Sequence, residues 1–139
     1  YNILSICGVS NVEHLNEAGV VNEPIFARRF IMDIDIPANY PCIDGAPVFR
    51  FLTKDESGND IAHPWHPNIR YFGSFAGKVC INALNTNVDI AWCIERIAYY
   101  LRYELYQAII EPPYPEDMNV ARWVLKQGEP KEWIFFDQE

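Results

Sequence analysis

The chain has 139 residues, half of them hydrophobic, enough for one sizeable core and too few for two, so a single domain spanning 1–139 is expected. Its 11 basic and 19 acidic residues leave a formal net charge of -8, which repels nucleic acid and anionic lipid. No stretch approaches the roughly 20 apolar residues of a membrane span, and the start lacks a signal-peptide pattern, so a cytoplasmic protein with no nucleic-acid or membrane partner is expected.

The first predicted strand covers 1–7 and begins on Tyr1 rather than Met, so an upstream segment is expected. Between residues 25 and 36, Phe30, Met32, Ile34 and Ile36 alternate with Ile31, Asp33 and Asp35, the period of a strand with one buried face. Pro37-Ala38-Asn39-Tyr40-Pro41 ends it, because proline lacks the amide donor and fixes its own φ. A third strand follows at 48–52, then a polar turn cluster at 54–60. The pattern is that of an antiparallel meander.

Residues 61–91 are rich in Pro, Gly and Asn, yet they carry Trp65, Tyr71, Phe72, Phe75, Val79, Ile81 and Leu84. A loop of that length with so much apolar content is expected to be ordered and functional. Ile90, Ile94, Ile97, Ala98, Leu101, Leu105 and Ala108 then recur at three and four residues, predicting a long amphipathic helix with Asp89 as its cap. The proline-rich run 111–117 ends it, and a shorter helix is predicted at about 119–127. Strands first and helices after imply an α+β domain: an antiparallel meander of about four strands packed against a long helix.

Three motifs occur in one order: Tyr40-Pro41 followed by Pro47-Val48-Phe49-Arg50-Phe51-Leu52-Thr53, then His66-Pro67-Asn68-Ile69, then Gly77-Lys78-Val79-Cys80-Ile81-Asn82-Ala83-Leu84. The series resembles the core of ubiquitin-conjugating enzymes, and Trp92 and the run Pro113-Tyr114-Pro115-Glu116-Asp117 extend the likeness. The resemblance implies the fold of that family. It also implies that Cys80 accepts an activated modifier as a thioester and passes it to a lysine amine. The partners it implies are a ubiquitin-like modifier, an activating enzyme, and a ligase or substrate protein; it implies no cofactor and no metal.

The chemistry suits these residues. A thiolate is a competent nucleophile, and the modifier arrives already activated, so strong activation of Cys80 by a neighbour such as Lys78 is not required. Aminolysis passes through an oxyanion, and a neutral amide donor steadies it without acting as a base. The resemblance assigns that donor, or the shaping of the loop, to Asn68, and gives His66 and Pro67 a structural part. Asp117, with Glu116 beside it, matches the family loop that positions the incoming lysine.

The chain also departs from the family pattern. Eleven residues separate Asn68 from Cys80, with 70–76 as the expected insertion, and Asn82 stands where many relatives carry Asp. Set against the family pattern, the amino-terminal helix is expected to be absent and only one helix and a short tail to follow the proline-rich loop. This shortened form resembles bacterial members of phage-defence or related conjugation operons.

Other assignments compete. Cys7, Cys42 and Cys93 lack paired spacing and are expected as reduced thiols, with Cys93 in the core. His63 and His66 with Cys80 and Cys93 form a poor zinc spacing. A hydrolase pairing Cys80 with His66 needs His66 as a base, which its His-Pro setting opposes. Tyr99, Tyr100, Tyr103 and Tyr106 fit core and rim packing, with a partner-binding face as the alternative. The tail Trp133-Ile134-Phe135-Phe136, expected to be exposed, either folds back on the sheet or docks on another protein. A non-catalytic adaptor of the same fold remains the alternative to the enzyme.

Overall fold

In a computed structural model of the chain, the structure describes residues 2–38, 47–81, 89–112 and 114–134. The elements run β1 (Asn2–Val9), a 3-10 turn (Val12–His14), β2 (Pro24–Arg29), β3 (Met32–Asp35), β4 (Val48–Phe51), α1 (Ile90–Leu101) and α2 (Met118–Trp123). The architecture is α+β with antiparallel strands and few helices. Tyr40, Pro41, Cys42, residues 82–88, Pro113 and residues 135–139 lie outside the described residues. No helix among the described residues is long and apolar enough to cross a membrane.

The strands form two antiparallel pairs, β1 with β2 and β3 with β4, rather than one four-stranded ladder. Only Phe30 and Ile31 separate β2 from β3. A two-residue hairpin there would need the left-handed backbone that Gly and Asn supply, and neither residue has positive φ. The 24–35 stretch therefore does not fold back on itself, and its first half pairs with β1 and its second with β4. Burial alternates in β4, where Phe49 and Phe51 are buried while Val48 and Arg50 are exposed. The polar turn at 54–60 closes as expected, with Asp55 N donating to Asn59 O and Lys54 bonding to Asp60 across 2.8 Å.

Asp89 caps α1 by accepting from Ala91 N at 3.0 Å. The helix ends at Leu101, short of the predicted stripe that reached Ala108. Tyr103 takes a left-handed φ of 56°, and its buried phenol bonds to Trp65 O. Leu105 and Ala108 still pack against the core, but from a non-helical segment whose backbone groups are released from helical pairing.

The apolar interior has two parts. One gathers Phe49, Phe51, Ile69, Val79, Cys93, Ile97, Tyr100 and Leu101, so Cys93 does occupy the core. The other centres on Trp65 and Trp123, which meet edge to face at 5.9 Å. α2 runs on into a wider-turned segment, Val124–Gly128. The described end of the tail folds back: Trp133 stacks on Trp123 at 6.2 Å, and Ile134 is buried. Of the tyrosines between residues 99 and 106, Tyr100 and Tyr103 are buried, Tyr106 is half-buried and bonds to Glu129, and Tyr99 is exposed.

Candidate active site

The segment that carries Cys80 runs antiparallel beside β4 and is joined to it by an isolated bridge between Arg50 and Lys78. Phe51 N donates to Gly77 O at 2.8 Å and Val79 N to Phe49 O at 3.0 Å. Gly77 has φ +93°, and a Cβ there would lie 2.0 Å from Phe51 O, so no other residue fits. The opposite side of the segment is paired too: Arg70 N donates to Lys78 O at 2.9 Å, and Cys80 N to Asn68 O at 2.8 Å. The expected insertion is thus a loop closed at its base. Ile69 bridges Val79, and Gly77 N donates to Arg70 O at 2.6 Å, so the extra length projects beyond the site and leaves Asn68 beside Cys80. Tyr71 and Phe72 of the loop pack against Trp65, whereas Phe75 is exposed.

Along this segment Gly77 and Val79 are buried, Lys78 is exposed and Cys80 is partly exposed. Tyr100, buried on α1, donates its phenol to Cys80 O at 3.0 Å. Burial pushes the Tyr100 phenol above its ordinary pKa, which keeps the O–H as a donor. The Arg96 guanidinium lies over the rings of Trp92 and Tyr100, at 5.2 and 5.9 Å from their centroids.

His66, Pro67, Asn68 and Ile69 form a tight turn closed by Ile69 N donating to His66 O at 3.0 Å. His66 Nδ1 accepts from Asn68 N at 3.0 Å, and Nε2 donates to Leu105 O at 2.9 Å. One nitrogen accepts and the other donates, which is the neutral tautomer. Burial holds His66 down to about 3, and its ring stacks on Tyr100 at 4.7 Å. A sealed neutral imidazole with both nitrogens engaged is neither a general base nor a metal ligand. Asn68 is 2% exposed, and its Oδ1 accepts from Gln107 N at 2.9 Å. The other end of that amide is an NH2 donor.

The proline-rich loop is fastened to the same turn. Asp117 N donates to Pro67 O at 2.9 Å. Its buried carboxylate accepts from Asn119 N (3.1 Å) and Val120 N (3.3 Å) as the cap of α2, and from Tyr71 N (2.8 Å). Glu116 pairs with Arg70 at 3.3 Å. Asp117 therefore bonds directly to the His-Pro-Asn turn through its backbone, with its carboxylate taken up by backbone donors.

Cys80, Asn68, His66, Pro67 and Asp117 are thus joined in one hydrogen-bonded assembly. Sequence reasoning missed Leu105, Gln107 and Tyr71, which act through backbone groups that leave no mark on residue type. It also left Tyr100 as packing; the one available signal was its place beside Ile97 and Leu101 on the buried stripe of α1.

The chain is similar to the ubiquitin-conjugating enzyme E2-22 kDa of Drosophila melanogaster, with 31% identity over 104 residues. The match takes in 75% of this chain and 44% of the fly protein, so the chain spans less than half the length of the curated relative it matches. No family model matches the sequence. No solved structure matches it either.

Proposed function

We propose that residues 1–139 form a single conjugating-enzyme domain in which Cys80 accepts a ubiquitin-like modifier as a thioester and passes it to a lysine amine. The observation that carries this is the bond from Cys80 N to Asn68 O, which sets a partly exposed cysteine against a braced His-Pro-Asn turn. The similarity to a ubiquitin-conjugating enzyme supports the same conclusion. The partners are the modifier, its activating enzyme, and a ligase or substrate protein.

The Cys80 thiolate attacks the modifier's activated carboxyl-terminal carbonyl and displaces the activating enzyme's sulfur. A lysine amine then adds to the Cys80 thioester, and the tetrahedral oxyanion collapses to an amide with Cys80 as leaving group. The Asn68 NH2 is the donor for that oxyanion, held in aim by the bond from Gln107 N to its Oδ1. His66 and Pro67 hold the turn in shape. Asp117 positions the lysine indirectly, by tying the 114–117 loop to Pro67 and Tyr71. A non-catalytic adaptor would have no need of a partly exposed cysteine at this point of the segment.

The decisive experiment charges the protein with ubiquitin and a ubiquitin-activating enzyme and resolves the products on a non-reducing gel. An adduct removed by thiol is expected, and Cys80→Ser is expected to convert it to a more stable oxyester. An adduct that persists unchanged in Cys80→Ala would overturn the assignment.

A further inference from the structure

α1 buries Cys93, Ile97, Tyr100 and Leu101 against the core. Its other face carries Trp92, Glu95, Arg96 and Tyr99, the spacing that puts four residues on one side of a helix. These four line a cleft of about 170 Å³, and no described residue of another element joins them. Trp92 and Tyr99 are 42% and 40% exposed. Trp, Tyr and Arg are the residue types that anchor protein interfaces, so an outward face built from all three calls for a partner.

The charges on this face are arranged about its midline. At ~100° per residue, Trp92 and Tyr99 stand within ~20° of each other and form the ridge. Glu95 then lies ~50° to one side of the ridge and Arg96 ~50° to the other. Consecutive residues do not face each other on a helix, and no residue three or four positions from either one carries the opposite charge. Among the described residues neither has an ion-pair partner, and Arg96 Nε is buried without a hydrogen-bond partner.

We infer that this face pairs with the same face of a second copy of the chain, the two α1 helices running parallel about a two-fold axis. That rotation returns Trp92 to Trp92 and Tyr99 to Tyr99 along the ridge and exchanges the flanks, so Glu95 of each copy meets Arg96 of the other. An antiparallel pairing would set Glu95 against Glu95 and Arg96 against Arg96, and like charges across an interface repel. The contact is small, because the 12 residues of α1 span only ~18 Å. The net charge of -8 on each copy also opposes association, although salt at physiological strength screens it beyond ~8 Å. The dimer is therefore transient, with a dissociation constant above about 1 µM. Arg96 lies over the ring of Tyr100, whose phenol bonds to Cys80 O, so the pairing face backs directly onto the candidate site. The inference stands independently of the chemistry proposed for Cys80.

The test is sedimentation equilibrium of the full chain from about 5 to about 500 µM, in about 0.15 M salt. The average mass is expected to rise with concentration from that of one chain towards that of two. Glu95→Arg and Arg96→Glu each turn both cross-pairs into like-charge pairs, and each is expected to weaken dimerisation at least about tenfold. An equal mixture of the two variants makes every cross-pair opposite in sign again and is expected to restore the dimer. Far-UV circular dichroism matching the parent's keeps a loss of fold from being read as a loss of pairing. The mass of one chain at every concentration, a dimer undiminished in either variant, or a mixture that stays monomeric would each overturn the inference. A monomeric chain that instead binds free ubiquitin through Trp92 and Tyr99 would assign the face to another partner and overturn it too.

Discussion

The Tyr100 phenol donates to the carbonyl oxygen of Cys80 at 3.0 Å while its ring stacks on His66 at 4.7 Å. One side chain of α1 thereby holds both the backbone of the candidate nucleophile and the imidazole that shapes the turn beside it. Because Cys80 N is also bonded, to Asn68 O, the peptide units on both sides of the thiol are anchored. The direction of the sulfur is then set by neighbours 12 and 20 residues away rather than by local chain stiffness.

Replacing Tyr100 by Phe keeps the ring and removes one hydrogen bond. A stability loss of about 1 kcal/mol is expected from such a deletion, together with slower charging of Cys80 by the activating enzyme. Alkylation of Cys80 by iodoacetamide, which reads access alone, is expected to stay unchanged. Equal charging rates for Tyr100→Phe and the parent would show that the phenol positions nothing.

His66 makes stability depend on pH. Its folded pKa of about 3 lies below the ordinary 6.5, so between those values the unfolded chain binds a proton that the folded chain refuses. The stability it contributes is complete above pH 6.5 and falls as the pH drops below it, with a limiting slope of ~1.4 kcal/mol per unit. Chemical denaturation of the parent and of His66→Gln between pH 5 and 7 isolates this slope from the carboxylates. The slope is expected to vanish in the variant; its persistence would mean that His66 is not the group responsible.

Asn68 offers two ends of one amide with separate tasks. Asn68→Asp keeps an oxygen for Gln107 N but loses the NH2 donor. Charging is expected to survive, with single-turnover discharge to free lysine slowed about a hundredfold, the scale of one lost oxyanion donor. Discharge at the parental rate in a folded Asn68→Asp protein would remove the oxyanion role.

Gly77→Ala puts a methyl 2.0 Å from Phe51 O at a left-handed φ, and the three nearest atoms are all backbone of Phe51. A loss of about 3 kcal/mol or more is expected, in the range reserved for strain at a special backbone position. Thermal unfolding of the variant reads it directly. A melting temperature equal to the parent's would show that the segment carrying Cys80 can shift freely.

Asp117→Ala removes a helix cap and leaves Tyr71 N without its acceptor. Loss of about 2 kcal/mol is expected from the cap and the buried donor together. Proteolysis is expected to cut first between residues 70 and 77, where the loop is no longer tied down. Cleavage elsewhere, with that loop still protected, would show that Asp117 does not fasten it.

What could be read from residue order was what neighbouring residues decide among themselves. The alternation of Met32 and Ile34 with Asp33 and Asp35, the turn at 54–60, the Asp89 cap and the buried stripe from Ile90 to Leu101 are local patterns, and the structure keeps them. The His-Pro-Asn tripeptide and the Gly-x-Val-Cys segment were likewise visible as motifs. The end of α1 was not, because the left-handed turn at Tyr103 is held by a bond to Trp65, 38 residues away. Nor was the pairing of β1 and β4 with the two halves of one stretch, since alternation marks a strand without naming its partner. The assembly of the site was decided by tertiary contact alone. Leu105 O, Gln107 N, Pro67 O and Tyr71 N are the groups that hold His66, Asn68 and Asp117 in place, and every residue type except proline offers the same amide and carbonyl.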